Sequence, residues 1–409
     1  MNVVVLGGGY AGVALVGGLE DSLPEDAEIT LVDESDTHLV QHLLHRVVRT
    51  PDLGDRIAIP FEELLDRTTF RQSRVTAVNP DEGRVELEDG SLDYDLGAVC
   101  LGVRTAFHGL PGVEDHATPL KRLVHAHRIR EDFLQVCDLG GRVVVGGAGL
   151  SGIQIAGEVA AMVGGDSTEG ESTNGETRED TGQKQTSAES GGSESERGDP
   201  ADVEVLLLEQ KESVAPAFPA PFQRAVADEL DARGVVVRTE APVDAADEDE
   251  VVLVGGERIP YEQFIWTGGI TGPASFDDER KRVRSTLRLG DRTFAAGDAV
   301  EVVDANGTLV PATAQTAVRQ ASVAATNLTR LAEYRRDGSG FEPRFERYTY
   351  DPAGWVVTVG DGTVAQVGSS VVRGVPARAL KATIGARYLG KVGRVQDAIE
   401  FAHETFNTD

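Results

Sequence analysis

Cysteine is scarce: the 409-residue chain has two, Cys100 and Cys137. They form no CxxC or CxxxxC pair, so a disulfide framework, a zinc site and a redox-active dithiol all lack their ligands. Both read as small apolar residues, Cys100 in a strand-like run and Cys137 just after a helical one. Lysine is nearly as rare, with six among 39 basic residues, against 68 acids and a formal net charge of −29. That charge excludes nucleic acid as a partner. It suits a protein of salt-rich, halophilic cells, where dissolved ions screen crowded carboxylates. The eight histidines are scattered without HExxH or other metal-ligand spacing, so no metal is expected. Long hydrophobic runs are missing as well. Val143–Gly165 is strongly apolar, yet it holds Glu158 and reads as strand, turn and helix rather than a membrane span. Met1–Leu19 carries no charge but lacks the basic start and cleavage signature of a secretory leader.

Glycine, by contrast, is placed with purpose. Asn2–Leu6 is a short β-branched run that reads as a buried parallel strand. It enters Gly7-Gly8-Gly9-Tyr10-Ala11-Gly12, where Gly7 permits a tight turn and Gly9 admits a pyrophosphate. Gly12 lets the next helix pack on the strand. That helix aims its positive N-terminus at the phosphates. A second strand, Ile29–Val32, ends at Asp33, at the distance expected of a ribose-binding acid.

The pattern then repeats. Leu123–Val136 has helical spacing and Arg142–Val145 reads as a strand. Gly147-Ala148-Gly149-Leu150-Ser151-Gly152 follows, with a helix over Ile153–Val163. Residues 164–202 are Ser, Thr, Gly and Glu with almost nothing apolar, and read as a disordered acidic insertion. The awaited strand comes after it, Val203–Leu208, with Glu209 as its terminal acid. Two dinucleotide fingerprints in one chain imply one cofactor that stays and one that exchanges, with hydride passing between them.

Elsewhere the reading is coarser. The segment Thr37–Val47 reads as a loop entering a helix, with half-exposed histidines. Val75–Val78 and Arg84–Glu88 flank a hairpin turn. Phe222–Arg233 and Pro311–Leu331 read as helices. Val235–Arg238, Glu250–Leu253, Phe264–Trp266, Thr293–Ala296, Trp355–Val359 and Val364–Val367 read as strands. Ala377–Phe406 has helical character.

On these motifs the chain resembles the two-dinucleotide-binding-domain flavoproteins, and within them the single-subunit (type II) NADH:quinone oxidoreductases. The resemblance implies an α/β fold with two Rossmann-like domains and a small C-terminal α+β or helical region. Residues 1–112 and 269–340 would form the FAD domain, 113–268 the NAD(H) domain and 341–409 the C-terminal domain. Lys121-Arg122-Leu123 and Ile265–Gly269 resemble the crossings between them. FAD would meet Gly7, Gly9, Tyr10, Ala11, Gly12 and Asp33. It would also meet His38, Gly102, Gly297, Asp298, Ala314 and Gln315, with Asp298 accepting from the ribityl chain. NADH would meet Gly147, Gly149, Gly152, Glu209 and Gly268. Pro311-Ala312-Thr313-Ala314-Gln315 is similar to the family's segment between flavin and quinone.

The chain also departs from the family. Gln154 stands where a glutamate near the nicotinamide is usual. Arg319 stands where a second quinone-segment glutamine is usual, with Gln320 beside it. His42 and His45 replace a proline and a tyrosine. Gln154, Gln315 and Arg319 are the candidate catalytic residues.

The implied activity is hydride transfer from NADH to FAD and electron delivery to a membrane quinone, without proton pumping. A reductase of a small electron-transfer protein and a non-enzymatic FAD/NAD redox sensor are the alternatives. The resemblance leaves a homodimer open. Val371–Lys391 holds Arg373, Arg378, Lys381, Arg387 and Lys391 among apolar residues, with no acid. It is the candidate for peripheral attachment to the cytoplasmic face of the cell membrane, its alternative being an ordinary packed helix.

Overall fold

The computed structural model of the protein describes residues 1–164, 203–352 and 354–391. The expected insertion therefore lies outside the described residues, apart from Gly164, as does everything beyond Lys391.

Two parallel five-stranded sheets carry the molecule. The first runs Thr293–Ala295, Leu96–Val99, Asn2–Leu6, Glu28–Asp33, Thr69–Gln72. The second runs Thr118–Pro119, Gln263–Trp266, Gly141–Gly146, Val203–Leu208, Val235–Arg238. The glycine-loop strand lies at the centre of each. Both of its faces are covered, which explains why Val3, Val4, Val5, Val143, Val144 and Val145 are all buried.

Each central strand feeds its fingerprint helix, Tyr10–Ser22 or Leu150–Val163. The latter starts earlier than its apolar spacing suggests, because Gly149 supplies the N-cap. The long helix Ala314–Asp337 packs on Tyr10–Ser22, with Gly18 giving room to Ala325. It opens on a reciprocal Thr313–Thr316 cap rather than at Pro311, and it stops at left-handed Gly338. Cys137 lies inside the helix Leu123–Leu139, not beyond it.

The chain crosses between the sheets twice, and the crossings pair. Arg104–Thr105 lies antiparallel to Ile270–Thr271. Trp266 Nε1 donates to the Ala106 carbonyl at 2.8 Å. The C-terminal part is an antiparallel sheet of Trp355–Val359, Gly362–Val367 and Ser370–Arg373, followed by the helix Val375–Lys391. Among the described residues no helix is long and apolar enough to cross a membrane.

One apolar core joins three parts of the chain. Val40–Ile59 contributes Val47 and Ile57, the second fingerprint helix contributes Ile153 and Val159, and the C-terminal hairpin contributes Val357 and Val359. The hairpin can come this close because Gly157 has no side chain. A Cβ there would sit 2.4 Å from the Gly360 nitrogen and 2.7 Å from Val359. Gly157→Val is therefore expected to lift the hairpin off the helix, at a cost of about 1–3 kcal/mol, as overpacked cores show. Limited proteolysis should then release the C-terminal part at a temperature where the wild type resists. Equal resistance would refute this account of the contact.

Candidate functional site

The two glycine loops are built alike. Gly7 has φ +98° and Gly147 φ +97°, a backbone that favours glycine. A Cβ on Gly12 would lie 1.8 Å from the Gly7 carbonyl oxygen; on Gly152 it would lie 1.9 Å from that of Gly147. Nothing stands within 4 Å of a Cβ built on Gly9 or Gly149, so this side of each loop is open. Both of these glycines cap their helices without a side-chain hydrogen bond, which leaves the first helical amides to a ligand.

The strand-end acids are also equivalent. Asp33 Oδ2 accepts from the Gly8 N–H at 2.6 Å, and Oδ1 accepts from Ser35 at 2.9 Å. Glu209 Oε2 accepts from the Ala148 N–H at 2.8 Å, and Oε1 accepts from Lys211 at 2.9 Å. Burial raises the Asp33 pKa above the usual carboxylate range, and the amides of Gly8 and Ser35 draw it back.

A cleft of about 1120 Å³ extends from Asp33 across the first loop. Its walls include Gly7, Gly9, Tyr10, Ala11, Gly102, Gly297, Asp298 and Ala314. Asp298 Oδ1 is buried with no hydrogen-bond partner, an acceptor waiting for a donor. Burial raises its pKa, while Lys121 and Arg280 act to lower it. Lys121 lines the same cleft. Beside Asp33, Glu34 pairs with Arg74 at 3.0 Å and with Arg122 at 2.6 Å on the rim of the cleft. An elongated cleft, an open phosphate loop and an orphaned acceptor together fit FAD.

Four further site candidates do not line this cleft. His38 does not line the cleft. Its ring is fully buried behind the loop, with Nδ1 2.9 Å from the Gly8 carbonyl. Gln315 is exposed on the first turn of its helix. Arg319 donates to the Asp351 carbonyl, whereas its neighbour Gln320 turns inward and accepts from the Gly297 N–H at 2.8 Å. Gly268 meets the second loop: a Cβ on Gly147 would lie 2.7 Å from its Cα.

Gln154 belongs to a polar cluster that no sequence motif announced. Its Nε2 lies 3.3 Å from His45 Nε2 and 3.4 Å from Thr358 Oγ1. Lys381 Nζ donates to Thr358 Oγ1 at 3.0 Å, and His45 Nε2 lies 3.0 Å from the same oxygen. Glu158, 1% exposed, meets Arg49 Nε at 2.8 Å. The available signal was Glu158 itself, the one charged residue of its helix.

His42 is half-exposed as expected, whereas His38 and His45 are buried. Burial lowers the pKa of His38 to about 4 and of His42 to about 3, and puts His45 well below its ordinary value. Below the ordinary value near 6.5 the unfolded chain takes up protons that the folded chain refuses. Their contribution to stability is therefore present above that pH and lost as pH falls toward about 4. Asp33, Asp298 and Glu158, with raised values, act in the opposite direction. His42→Gln should flatten the fall in melting temperature between about pH 6.5 and 4. An unchanged slope in high-salt thermal melts would show that His42 does not carry it.

Comparison with known proteins agrees with this geometry. Residues 1–321 match the family model described as pyridine nucleotide-disulphide oxidoreductase. A type II NADH:quinone oxidoreductase of Staphylococcus aureus is 25% identical over 422 residues, covering 96% of each chain. NDH2 of Plasmodium falciparum, solved with NADH, superimposes with a TM-score of 0.79 at 13% identity, over 99% of this chain and 97% of that one. A sulfide:quinone oxidoreductase of Aquifex aeolicus gives 0.74 at 17% identity, over 96% and 91%. With two Rossmann-like sheets, paired crossings and a family match over most of its length, the chain belongs to the pyridine nucleotide-disulphide oxidoreductases.

Proposed function

We propose that the protein is an FAD-dependent NADH dehydrogenase that delivers electrons to a quinone without pumping protons. The observation that carries the reading is the doubled phosphate loop, each with its own strand-end acid, on two sheets joined by paired crossings. Bound FAD supplies a hydride acceptor. The chain's own residues bind and orient. Glu209 suits the free 2′-hydroxyl of NADH, because a 2′-phosphate would meet a carboxylate. The helix beginning at Ala314 brings its positive end to the cleft, where it would favour negative charge on a bound group. Gln154, Gln315 and Arg319 remain the candidates for the reacting region. The name of the Staphylococcus aureus relative favours quinone as acceptor.

The deciding experiment is anaerobic and in high salt. NADH should bleach the flavin band, and added quinone should restore it rapidly over many turnovers. Bleaching without rapid recovery on quinone would overturn the acceptor and favour a small redox protein. A stable reduced complex with no turnover at all would favour a sensor.

For a quinone enzyme with no span among its described helices, the membrane must be met at the surface. The stretch from Val371 is our candidate, but its charge is less available than the sequence suggested. Arg373 pairs with Asp228 at 2.6 Å, and Lys381 turns in to Thr358. Val375, by contrast, is 63% exposed. Apolar insertion is then the main attraction, all the more because the Debye length is about 3 Å near 1 M salt. Val375→Asp with Leu380→Asp should abolish flotation with liposomes in high salt. A double variant that floats like wild type would exclude this anchor.

A further inference from the structure

Of the 39 basic residues six are lysine, and one of these, Lys121, stands on the wall of the FAD cleft. It lies where the chain leaves the short strand Thr118–Pro119 for the helix Leu123–Leu139. There its N–H donates to Nδ1 of His125 at 3.2 Å, as does the N–H of Arg122. The side chain is half-buried, yet it makes no hydrogen bond or ion pair with any described residue. The charged group that acts on it is Asp298, whose Oδ1 is itself buried and unpaired. The other ionisable groups facing Asp298 are engaged or neutral. Arg280 donates from Nε to the Asp298 carbonyl at 2.7 Å and from Nη2 to that of Val300 at 3.0 Å. Burial keeps the Tyr10 phenol neutral.

A polar group taken out of water without a partner costs free energy. Here a donor and an acceptor of opposite charge both bear that cost on one cleft, and no ion pair joins them. Both await a ligand, and the sheet tells which part of it they meet. Asp33 ends the strand beside the central one. Asp298 follows Thr293–Ala295, three strand positions away and on the other side of the centre. With Asp33 as the acid of the adenosine ribose and the phosphates at the loop between, the end at Asp298 and Lys121 is left to the flavin half of FAD. Lysine suits that place, because its ammonium is a compact point charge, unlike the forked guanidinium of the surface pairs.

We propose that Lys121 raises the reduction potential of bound FAD by favouring the reduced ring. The inference rests on the FAD part of the proposed function and not on the identity of the acceptor. A hydride brings two electrons and one proton, so the ring gains one unit of negative charge as NADH becomes NAD⁺. An unpaired ammonium on the wall of the site stabilises that form over the oxidised one. Asp298 brings a negative charge to the same end and disfavours the reduced ring, and Lys121 offsets it. The helix end at Ala314 acts in the same sense as Lys121 but with about half a charge, where Lys121 carries a whole one.

The test is a redox titration of the purified holoenzyme in high salt, with NADH and quinone both absent, followed through the flavin band against a reference dye. K121M nearly keeps the length of the side chain, removes its charge and breaks no side-chain hydrogen bond or ion pair among the described residues. It should bind reduced FAD about 10- to 100-fold more weakly relative to oxidised FAD. For a two-electron couple that lowers the midpoint by about 30–60 mV. K121R restores the charge and should keep the wild-type midpoint. The affinity for oxidised FAD, measured by reconstituting the apoprotein, should stay close to wild type in both variants. A K121M midpoint equal to wild type overturns the inference. So does an equal weakening of both oxidation states, which marks Lys121 as a phosphate or packing group, and so does a K121R midpoint that falls with that of K121M. A wild type that neither holds nor takes up FAD overturns the cleft reading, and the inference with it. Bound FAD whose midpoint ignores residue 121 overturns the inference alone.

Discussion

The hydrogen bond from the Gly8 amide to the Asp33 carboxylate, at 2.6 Å, is the constraint on which the cleft depends. A phosphate site must leave backbone amides unsatisfied inside the protein, and glycine, the residue that permits this, is also the hardest to hold in one conformation. The strand-end acid holds it. It ties down one amide of the loop, so the open edge at Gly9 and the first helical amides keep a fixed direction. Ala148 and Glu209 repeat the device at 2.8 Å in the second sheet. An acid read in sequence only as a ribose ligand is thus also the loop's clamp. Removing it would disturb the phosphate end as well as the ribose end.

The two sheets and the C-terminal part behave as one mechanical unit because they share a core and a buried polar cluster. His45 comes from the segment Val40–Ile59, Gln154 and Glu158 from the second fingerprint helix, and Thr358 and Lys381 from the C-terminal part. A shift of any one part unpairs groups on the other two, and an unpaired buried polar group is costly. The Gly157–Gly360 approach makes the contact close enough for those hydrogen bonds to form.

What the sequence made legible was whatever local pattern determines. The strands Asn2–Leu6, Val235–Arg238, Glu250–Leu253 and Trp355–Val359 lie where the apolar runs predict. Both loops follow from the known demands of a dinucleotide turn. What stayed hidden depends on distant partners. His45 looks like a loop residue until Thr358, 313 positions later, comes to its side. Arg319 and Gln320 are neighbours on one helix, and which of them faces Gly297 is set by how that helix rolls against the first sheet. The basic run after Val371 reads as outward-facing because one sequence cannot reveal that Asp228 and Thr358 await Arg373 and Lys381.

Salt then divides the molecule into two electrostatic regimes. Exposed pairs such as Arg238–Glu257 and Arg336–Asp26 lie in solvent, where such pairs contribute little and concentrated ions weaken them further. Their use of arginine rather than lysine keeps the planar, two-pronged contact that survives partial screening best. The cluster around Glu158 is different, because ions do not reach a carboxylate that is 1% exposed. Its interactions are screened much less than those at the surface. The acidic surface and the polar cluster inside therefore answer differently to added salt.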